Sequence, residues 1–503
     1  MAAFDPNAVA GFGQDHFKNF DAGALGGFKA DHVQNFDPTA MGAFDATKMA
    51  AFDPTAMGGF GKDHFKNLDP TAITGLGKDH MAAFDPNAVA GFGQDHFKNF
   101  DMGAMAGFKA DHVQNFDPNA IAAINIEQLG AFDPSAMGGF GKDHMAAFDP
   151  SMMTAFEVED IGHFDPMAMG GFGKDHFQNF DKDAMAGFDM EHVQHFDPMA
   201  MGAFDATKMA AFDPMAMGGF SMDHMQNFDP SAMGGLGKDH MAAFDPSAMG
   251  GFGKDHFKNF DMGAMAGFKP DHVKNFDPSA IAGIDVEQLG AFDPMAMGGF
   301  GKDHMAAFDP SMMTAFEVED IGHFDPMAMG GFGPMHMKNF DMGAMAGFKP
   351  DHVKHLDIAA IGGLDTDRLK AFDPMAMGGF QPEHMNEFDP TMMTAFDKDR
   401  VQHFDPMAMM GFGMEHMQNF DPMAMSGFKP EHVGNLAPTA IDGLSMDHLK
   451  AFDPMAMGGF KANHMAEFDP TMMTAFDADR VKHFDPMAMM GFGMEHMKNF
   501  DPM

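Results

Sequence analysis

Large apolar residues recur along this chain at a fixed spacing of eight. Stepping by eight from Phe4 to Phe500, every stop holds Phe, Leu or Ile without a change of phase. The sixth position of each octad is also apolar, as at Val9 and Phe17. A short period that persists through a whole chain indicates a solenoid or array and overrides the usual count of domains. We therefore expect residues 1–503 to form a single continuous octapeptide-repeat solenoid.

Two kinds of octad alternate along the chain. One reads FDPxAMGG, as at residues 52–59, and the other reads FGKDHMxx, as at residues 300–307, so the chemical period is 16. A longer period of 80 lies above it, because residues 1–21 recur unchanged at residues 81–101. Since the start of the chain matches an internal segment, we expect these residues to be a fragment of a longer protein.

Neither regular element can carry this pattern without interruption. In a β-strand, positions one and six would point to opposite faces, because their separation is odd. In a continuous α-helix, eight residues turn about 800°, so the apolar stripe would drift by about 80° per octad. The backbone must therefore be reset once in every octad.

The residues that suit such a reset are present. Asp at position two is a good helix N-cap, and Pro at position three suits the first helical turn and ends what precedes it. Gly at positions seven and eight would let the chain turn. We predict an α-solenoid of very short helices, one per octad, with a 16-residue alternation. A β-solenoid is the alternative, although frequent Pro and Ala count against it.

The octad resembles the octapeptide arrays of large bacterial surface and secreted proteins, whose units read roughly Leu-Thr-Pro-Glu-Gln-Ile-Ala-Ala. FDPTAMGG at residues 52–59 matches at the large apolar residue, the capping residue, the Pro, the second apolar residue and the small residues that follow. The chain departs from the pattern in its Phe and Met and in its His-bearing octad. The resemblance implies a structural role outside the cell and no catalytic residues.

Composition narrows the functional classes. The formal net charge is -42, which disfavours nucleic acid as a partner and favours weak, diffuse association with cations such as Ca²⁺. Cysteine is absent, so there is no disulfide or thiolate metal site. No stretch is apolar enough for a membrane span. The hydrophobic fraction of 45% and its strict placement make disorder a poor description.

Histidine is the most tempting candidate for chemistry. Of 28 His residues, 22 occupy position five of the alternate octad, where a ladder of imidazoles could bind zinc, copper or nickel. The simpler interpretation places His at a solvated polar edge beside the core, since cations and amides replace it elsewhere. Those replacements are Lys48, Gln128, Asp160, Lys208, Gln288, Asp320, Arg368, Arg400 and Arg480.

Two further metal hypotheses are weaker. The pair Met295 and Met297 has thioethers of the kind that bind Cu(I), but one Met of each such pair lies at the core position. An Asp that already caps a helix is a poor Ca²⁺ ligand. Because the chain repeats near-equivalent groups instead of holding one unlike constellation, we expect no enzyme. The sequence thus predicts no catalytic, cofactor-binding or metal-ligating residue.

The repeat architecture favours a structural function. We expect an extended fibre, filament, sheath or surface stalk at the cell surface or outside the cell, associating with itself end to end or laterally. The alternative is a repetitive binding module for divalent metal ions or a partner protein. An intracellular scaffold or storage protein is a third possibility, which the flanking sequence would distinguish from the first.

Overall fold

The computed structural model describes residues 4–500, which divide into two compact units. The first unit holds the residues up to Phe252 together with Asn259–Ala264, and the second holds Gly253–Lys258 and the residues from Met265 onward. Each unit is built from the same repeating octad. The continuity of one solenoid over residues 1–503 stays a prediction.

Every octad of the described chain contains one short helix, and no strand occurs among these residues. The prediction of a helical solenoid with one helix per octad is therefore confirmed, and the β-solenoid alternative is wrong. The 16-residue alternation is also present in the structure, because Asp-Pro octads mostly form 3₁₀-helices and the alternate octads form α-helices.

The 3₁₀-helices are Pro6–Gly11, Pro38–Ala43, Pro54–Gly59, Pro70–Gly75, Ala88–Gly91, Pro134–Gly139, Pro150–Ala155, Pro166–Gly171, Lys182–Gly187, Pro198–Ala203, Pro214–Gly219, Pro230–Gly235, Pro246–Gly251, Pro278–Gly283, Pro294–Gly299, Pro310–Ala315, Pro326–Gly331, Ala344–Gly347, Ile358–Gly363, Pro374–Gly379, Pro390–Ala395, Pro406–Gly411, Pro422–Gly427, Pro438–Gly443, Pro454–Gly459, Pro470–Ala475 and Ala488–Gly491.

The α-helices are Gln14–Lys18, Ala22–Leu25, Ala30–Val33, Ala46–Ala50, Lys62–Lys66, Lys78–Ala82, Gln94–Phe97, Met102–Met105, Ala110–Val113, Pro118–Ile121, Ile126–Leu129, Lys142–Ala147, Val158–Ile161, Lys174–Asn179, Met190–Val193, Ala206–Met209, Met222–Asn227, Lys238–Ala243, Lys254–Phe257, Met262–Met265, Pro270–Lys274, Val286–Leu289, Lys302–Ala307, Val318–His323, Pro334–Asn339, Pro350–Lys354, Thr366–Ala371, Pro382–Glu387, Lys398–Val401, Met414–Asn419, Pro430–Gly434, Met446–Ala451, Ala462–Glu467, Ala478–Val481 and Met494–Asn499.

The Asp-Pro sequence begins most of the 3₁₀-helices, as predicted. In the octad 52–59, Oδ1 of Asp53 accepts hydrogen bonds from the backbone N–H of Thr55 at 2.9 Å and from its hydroxyl group at 2.7 Å. Pro54 occupies the first helical position, where its missing N–H costs nothing. The helix ends at Gly59, and the next residue, Phe60, is extended.

The reset between octads uses extended residues rather than left-handed glycines. Phe60 has φ -76° and ψ 133°, and Gly61 has φ -103° and ψ 172°, so two successive extended residues separate the helices. No described residue, glycine included, has a positive φ. The chain therefore turns between octads without a left-handed glycine.

Three octads make one coil in each unit. Met222–Asn227 packs between Pro198–Ala203 and Pro246–Gly251, which begin 24 residues before and after it. In the second unit Lys302–Ala307 packs in the same way between Pro278–Gly283 and Pro326–Gly331. The two kinds of octad alternate, so a step of three octads along the chain leads from one kind to the other. An α-helix of one coil therefore mostly lies against 3₁₀-helices of the coils before and after it.

The two apolar positions of the octad form the core of each unit. Phe300 and Met305 are both 0% exposed, as their places in the pattern predict. Successive Phe rings pack edge to face, for example Phe28 and Phe36 with centroids 5.4 Å apart at 90°. The core is therefore a thin, continuous layer of aromatic rings and Met side chains.

Glycine at position eight brings neighbouring coils close together. A Cβ atom on Gly59 would lie 2.2 Å from the carbonyl oxygen of Ala30, and one on Gly299 would lie 2.2 Å from that of Pro270. Both distances are too short for a carbon atom and an oxygen atom. The absence of a side chain, rather than an unusual backbone conformation, is what this glycine contributes.

Candidate functional site

Histidine at position five lies between coils, where both of its ring nitrogens form hydrogen bonds. Nδ1 of His64 accepts a hydrogen bond from the backbone N–H of Gly61 at 2.8 Å. Nε2 of the same ring lies 3.0 Å from the carbonyl oxygen of Phe36, 28 residues earlier. A backbone N–H can only donate, so Nδ1 is unprotonated. Nε2 therefore carries the hydrogen and donates it in a hydrogen bond to the carbonyl oxygen of Phe36.

This arrangement, which we call the His ladder, recurs in both units. In the second unit, His304 accepts from the N–H of Gly301 at 2.9 Å and donates to the carbonyl oxygen of Phe276 at 2.9 Å. The ring therefore satisfies the start of its own helix and one carbonyl group of the preceding coil. The same carbonyl bond is formed by His32, His64, His80, His96, His112, His144, His176, His192, His224, His240, His304, His336, His352, His384, His416, His432, His448, His464 and His496.

The interpretation of position five as a solvated polar edge is wrong. His64 is 6% exposed and His432 is 1% exposed, although His80 is half-buried. Among residues 4–500, the ring of His16 forms a hydrogen bond only with the N–H of Gly13, and His16 is exposed. Burial thus accompanies the bond to the preceding coil, and His is a structural linker between coils.

The residues that replace His reproduce its bonds in their own ways. Gln128 accepts from the N–H of Asn125 at 3.0 Å and donates to the carbonyl oxygen of Phe100 at 2.7 Å, so it copies both halves. Nζ of Lys208 donates to the carbonyl oxygen of Phe177 at 2.6 Å. The guanidinium groups of Arg368, Arg400 and Arg480 donate both to the Asp that caps their own helix and to a carbonyl group of the preceding coil.

Asp160 and Asp320 form only one of the two hydrogen bonds, the one accepted from the backbone N–H at the start of their own helix. Oδ2 of Asp160 accepts from the N–H of Glu157 at 3.0 Å, and Oδ2 of Asp320 accepts from that of Glu317 at 2.9 Å. An ionised carboxylate has no hydrogen to donate to the preceding coil. Burial raises the pKa of both carboxyl groups above 3.8, which favours the protonated form that could donate.

Burial favours neutral imidazole at seven members of the His ladder. Burial lowers the pKa of several of its members below 6.5, and the hydrogen bond to the carbonyl oxygen opposes this only partly. Nearby carboxylates such as Asp223 and Asp197 beside His224 also oppose it. The affected residues are His96, His112, His224, His352, His384, His432 and His464.

A metal ion would have to displace the bonds that hold the coils together. Both nitrogens of a ladder His are engaged, so ligation through either one leaves a backbone group unsatisfied. Among residues 4–500, no group of three or more His, Asp or Glu side chains is arranged to hold a metal ion. The ladder therefore supports packing and offers no ready imidazole for a metal ion.

The two Met side chains of the MAM sequence point in different directions. Met297 is 1% exposed in the core, whereas Met295 is 65% exposed. They cannot share one Cu(I) ion while both keep these positions. The exposed member was missed by sequence reasoning, although polar residues at the same position of other octads, such as Thr55 and Ser135, mark that position as solvent-facing.

Exposed Met side chains also border shallow grooves between coils. A groove of about 390 Å³ beside Met375 is lined by Phe348, Lys349 and Pro350 of one coil and by Asp373 of the next. Grooves of about 440 and 290 Å³ occupy the same place in the repeat beside Met215 and Met455. The grooves are thus a repeated product of coil stacking.

Comparison with known proteins adds no identity to this geometry. No protein-family model matches the chain, and no significant match was found among curated proteins or solved structures. In the part of the chain that the structure describes, no helix is long and apolar enough to cross a membrane.

Proposed function

We propose that the chain is a structural repeat protein that contributes an extended fibre, filament, sheath or surface stalk. The observation that carries the proposal is the bond from position five to a carbonyl group of the preceding coil. His224 donates to Phe196 at 2.9 Å in the first unit, and His464 donates to Leu436 at 3.0 Å in the second. Because each coil repeats the contacts of its neighbour, stability adds from coil to coil instead of depending on one globular core.

The use of the reactive side chains supports a non-catalytic role. Ladder His residues are occupied at both nitrogens, and the Asp at position two caps its own helix, as Asp309 does for the N–H of Ser311 at 2.9 Å. A catalytic group must instead be available to a substrate and held apart from its repeats. We therefore propose that these side chains serve the architecture.

We further propose self-association, end to end or laterally, at the cell surface or outside the cell. The location rests on the resemblance of the octad to bacterial surface and secreted arrays. The net charge of -42 opposes lateral contact between copies and also disfavours nucleic acid. Salt or divalent cations would screen that repulsion and strengthen ordered contact.

Electron microscopy of the purified chain tests this proposal. We expect ordered end-to-end or lateral assemblies that lengthen or thicken with millimolar Ca²⁺. Sodium chloride at the same ionic strength is the matched control, because it separates screening from specific binding of Ca²⁺. Separate particles in buffer alone, with Ca²⁺ and with sodium chloride would contradict self-association and would leave a binding module as the better account.

The grooves favour a second candidate function, a repetitive binding module. Each groove joins an exposed Met to a charged rim, as Met375 does with Lys349 and Asp373. Repetition of one weak site along a chain raises the avidity for a partner that is itself repetitive. Calorimetric titration with divalent metal ions tests the metal-binding version of this function. Pull-down of a partner protein by the parent chain, with the Met375→Thr variant as the control, tests the protein-binding version.

A further inference from the structure

The largest set of exposed methionines lies at a position where the fold gives no reason for them. They occupy position four of the FDPMAM octads, and their side chains are between 54% and 80% exposed, from Met407 to Met215 and Met423. Position six of the same octads also holds Met, and there Met297 and Met425 are at most 1% exposed. The surface set consists of Met167, Met199, Met215, Met295, Met327, Met375, Met407, Met423, Met455 and Met487.

Other octads show what position four contributes to folding. The hydroxyl groups of Thr39 and Ser135 donate to the capping Asp of their helices at 2.7 and 2.6 Å, in addition to the backbone bond. Met295 offers that Asp only its backbone N–H, at 3.0 Å. Met at position four therefore forgoes a hydrogen bond and leaves an apolar side chain in water, so the fold itself does not favour Met there.

The chemistry of the thioether supplies a reason for Met at this position. Methionine is oxidised reversibly to its sulfoxide, which turns a flexible apolar side chain into a polar one. At position four the product would stand in water and disturb no contact of the core. At position six the same oxygen atom would be placed among Phe rings, with the cost of burying an unpaired polar group. The chain has no cysteine that could react with an oxidant instead.

We propose that the position-four methionines are reversible oxidation sites that consume peroxides before these reach the core. In the reaction, a lone pair of the thioether sulfur attacks one oxygen of the peroxide. The S–O bond forms and the O–O bond breaks, so that sulfur loses two electrons. With hydrogen peroxide, the leaving hydroxide takes the proton of the transferred oxygen and departs as water. A methionine sulfoxide reductase with a thiol reductant would reverse the step and release the oxygen as water.

Peptide mapping by mass spectrometry at limiting hydrogen peroxide tests the order of reaction. We expect the position-four methionines to be oxidised at least about tenfold faster than the buried position-six methionines, such as Met297 and Met425, which react only when a coil opens. The helical circular dichroism should be unchanged at that stage, and reductase treatment should restore the original mass. Equal rates at the two positions, or loss of the helical signal while only exposed methionines are modified, would overturn the proposal.

A matched variant tests whether the position-four methionines protect the core. We would replace all ten position-four methionines by Thr, the residue that already occupies this position at Thr39 and Thr55. Before its helical signal is lost, the variant should take up about ten fewer oxygen atoms than the parent, and the loss should occur at a lower peroxide dose. Loss at the same dose in both proteins would overturn the protective role.

A smaller variant keeps the test valid if the full replacement does not fold. Met375→Thr, Met407→Thr, Met423→Thr and Met455→Thr together alter only the second unit. Core methionines near these positions, such as Met377 and Met425, should then be oxidised at a lower peroxide dose than those of the first unit. Unchanged oxidation of Met377 and Met425 relative to the parent would contradict the proposal.

Discussion

Nε2 of His304 donates a hydrogen bond to the carbonyl oxygen of Phe276, 28 residues earlier, at a distance of 2.9 Å. The ring also accepts from the N–H of Gly301, so one side chain satisfies two backbone groups that belong to different coils. A buried backbone group left without a partner costs about 1–3 kcal/mol. The His ladder therefore acts through the satisfaction of the backbone as well as through packing.

His304→Gln should change the free energy of unfolding by less than about 0.5 kcal/mol, whereas His304→Leu should lower it by about 1–3 kcal/mol. Glutamine can copy both bonds, as Gln128 does naturally, but leucine can form neither. Hydrogen exchange at the amides around residues 276–305 would measure the difference locally. Similar destabilisation by Gln and Leu would show that ring packing matters more than these bonds.

The second prediction concerns the helix cap at Asp293 and Pro294. Replacing both by Ala should lower the local stability by about 1–2 kcal/mol, because the N–H of Met295 loses its partner. Coils far from this octad should keep their protection, since contacts join only neighbouring coils. Hydrogen exchange along the whole chain measures both effects, and a uniform loss of protection would contradict the nearest-neighbour description.

The octad 436–443 provides the reciprocal control for the cap. Ala437 stands where other octads have Asp, and no side chain caps the helix Pro438–Gly443. Since that helix forms without the cap, one missing Asp is tolerated. Ala437→Asp should therefore raise the local stability by about 1 kcal/mol. No gain in hydrogen-exchange protection there would mean that the cap contributes little in this fold.

The local structure could be predicted from the sequence because its causes are local. Asp53 and Pro54 mark a helix start in any context, and the spacing of Phe and Met marks one buried face. The number of octads per coil could not be predicted, because it depends on contacts between residues 24 apart. The close approach of two coils at Gly59 could not be predicted for the same reason, since turns and close packing both favour glycine.

The role of position five was also misread, although the sequence contains a signal for it. Gln128, Lys208 and Arg400 differ in charge and shape, but each has an N–H group that can donate to a carbonyl oxygen. Their shared property is donation and not contact with water. Asp160 breaks this rule, because its carboxylate only accepts a hydrogen bond, from the N–H of Glu157, and this exception hides the pattern.

The third prediction compares one substitution at two neighbouring glycines. Gly299→Ser should destabilise the protein by about 1–3 kcal/mol, because its Cβ atom would collide with the carbonyl oxygen of Pro270. Gly301→Ser should be neutral or slightly stabilising, because Ser221 occupies the equivalent place and caps its helix by accepting from the N–H of His224. Thermal unfolding of both variants provides the measurement. Equal effects would show that coils move apart freely to accommodate a side chain.

The last prediction is that stability falls as the pH is lowered below about 6.5. Burial holds the pKa of His352 and other ladder members below the ordinary value of 6.5, so in this range the unfolded chain binds protons that the folded chain does not. The stabilisation is therefore fully present above pH 6.5 and is lost as the pH falls toward the folded pKa. Protonation would also place a hydrogen on Nδ1, facing the N–H of Lys349.

Melting temperatures measured from about pH 8 to about pH 5 should decline for the parent and decline less for a variant with Gln at residues 352, 384, 432 and 464. Identical pH profiles for the two proteins would show that the acid sensitivity arises elsewhere.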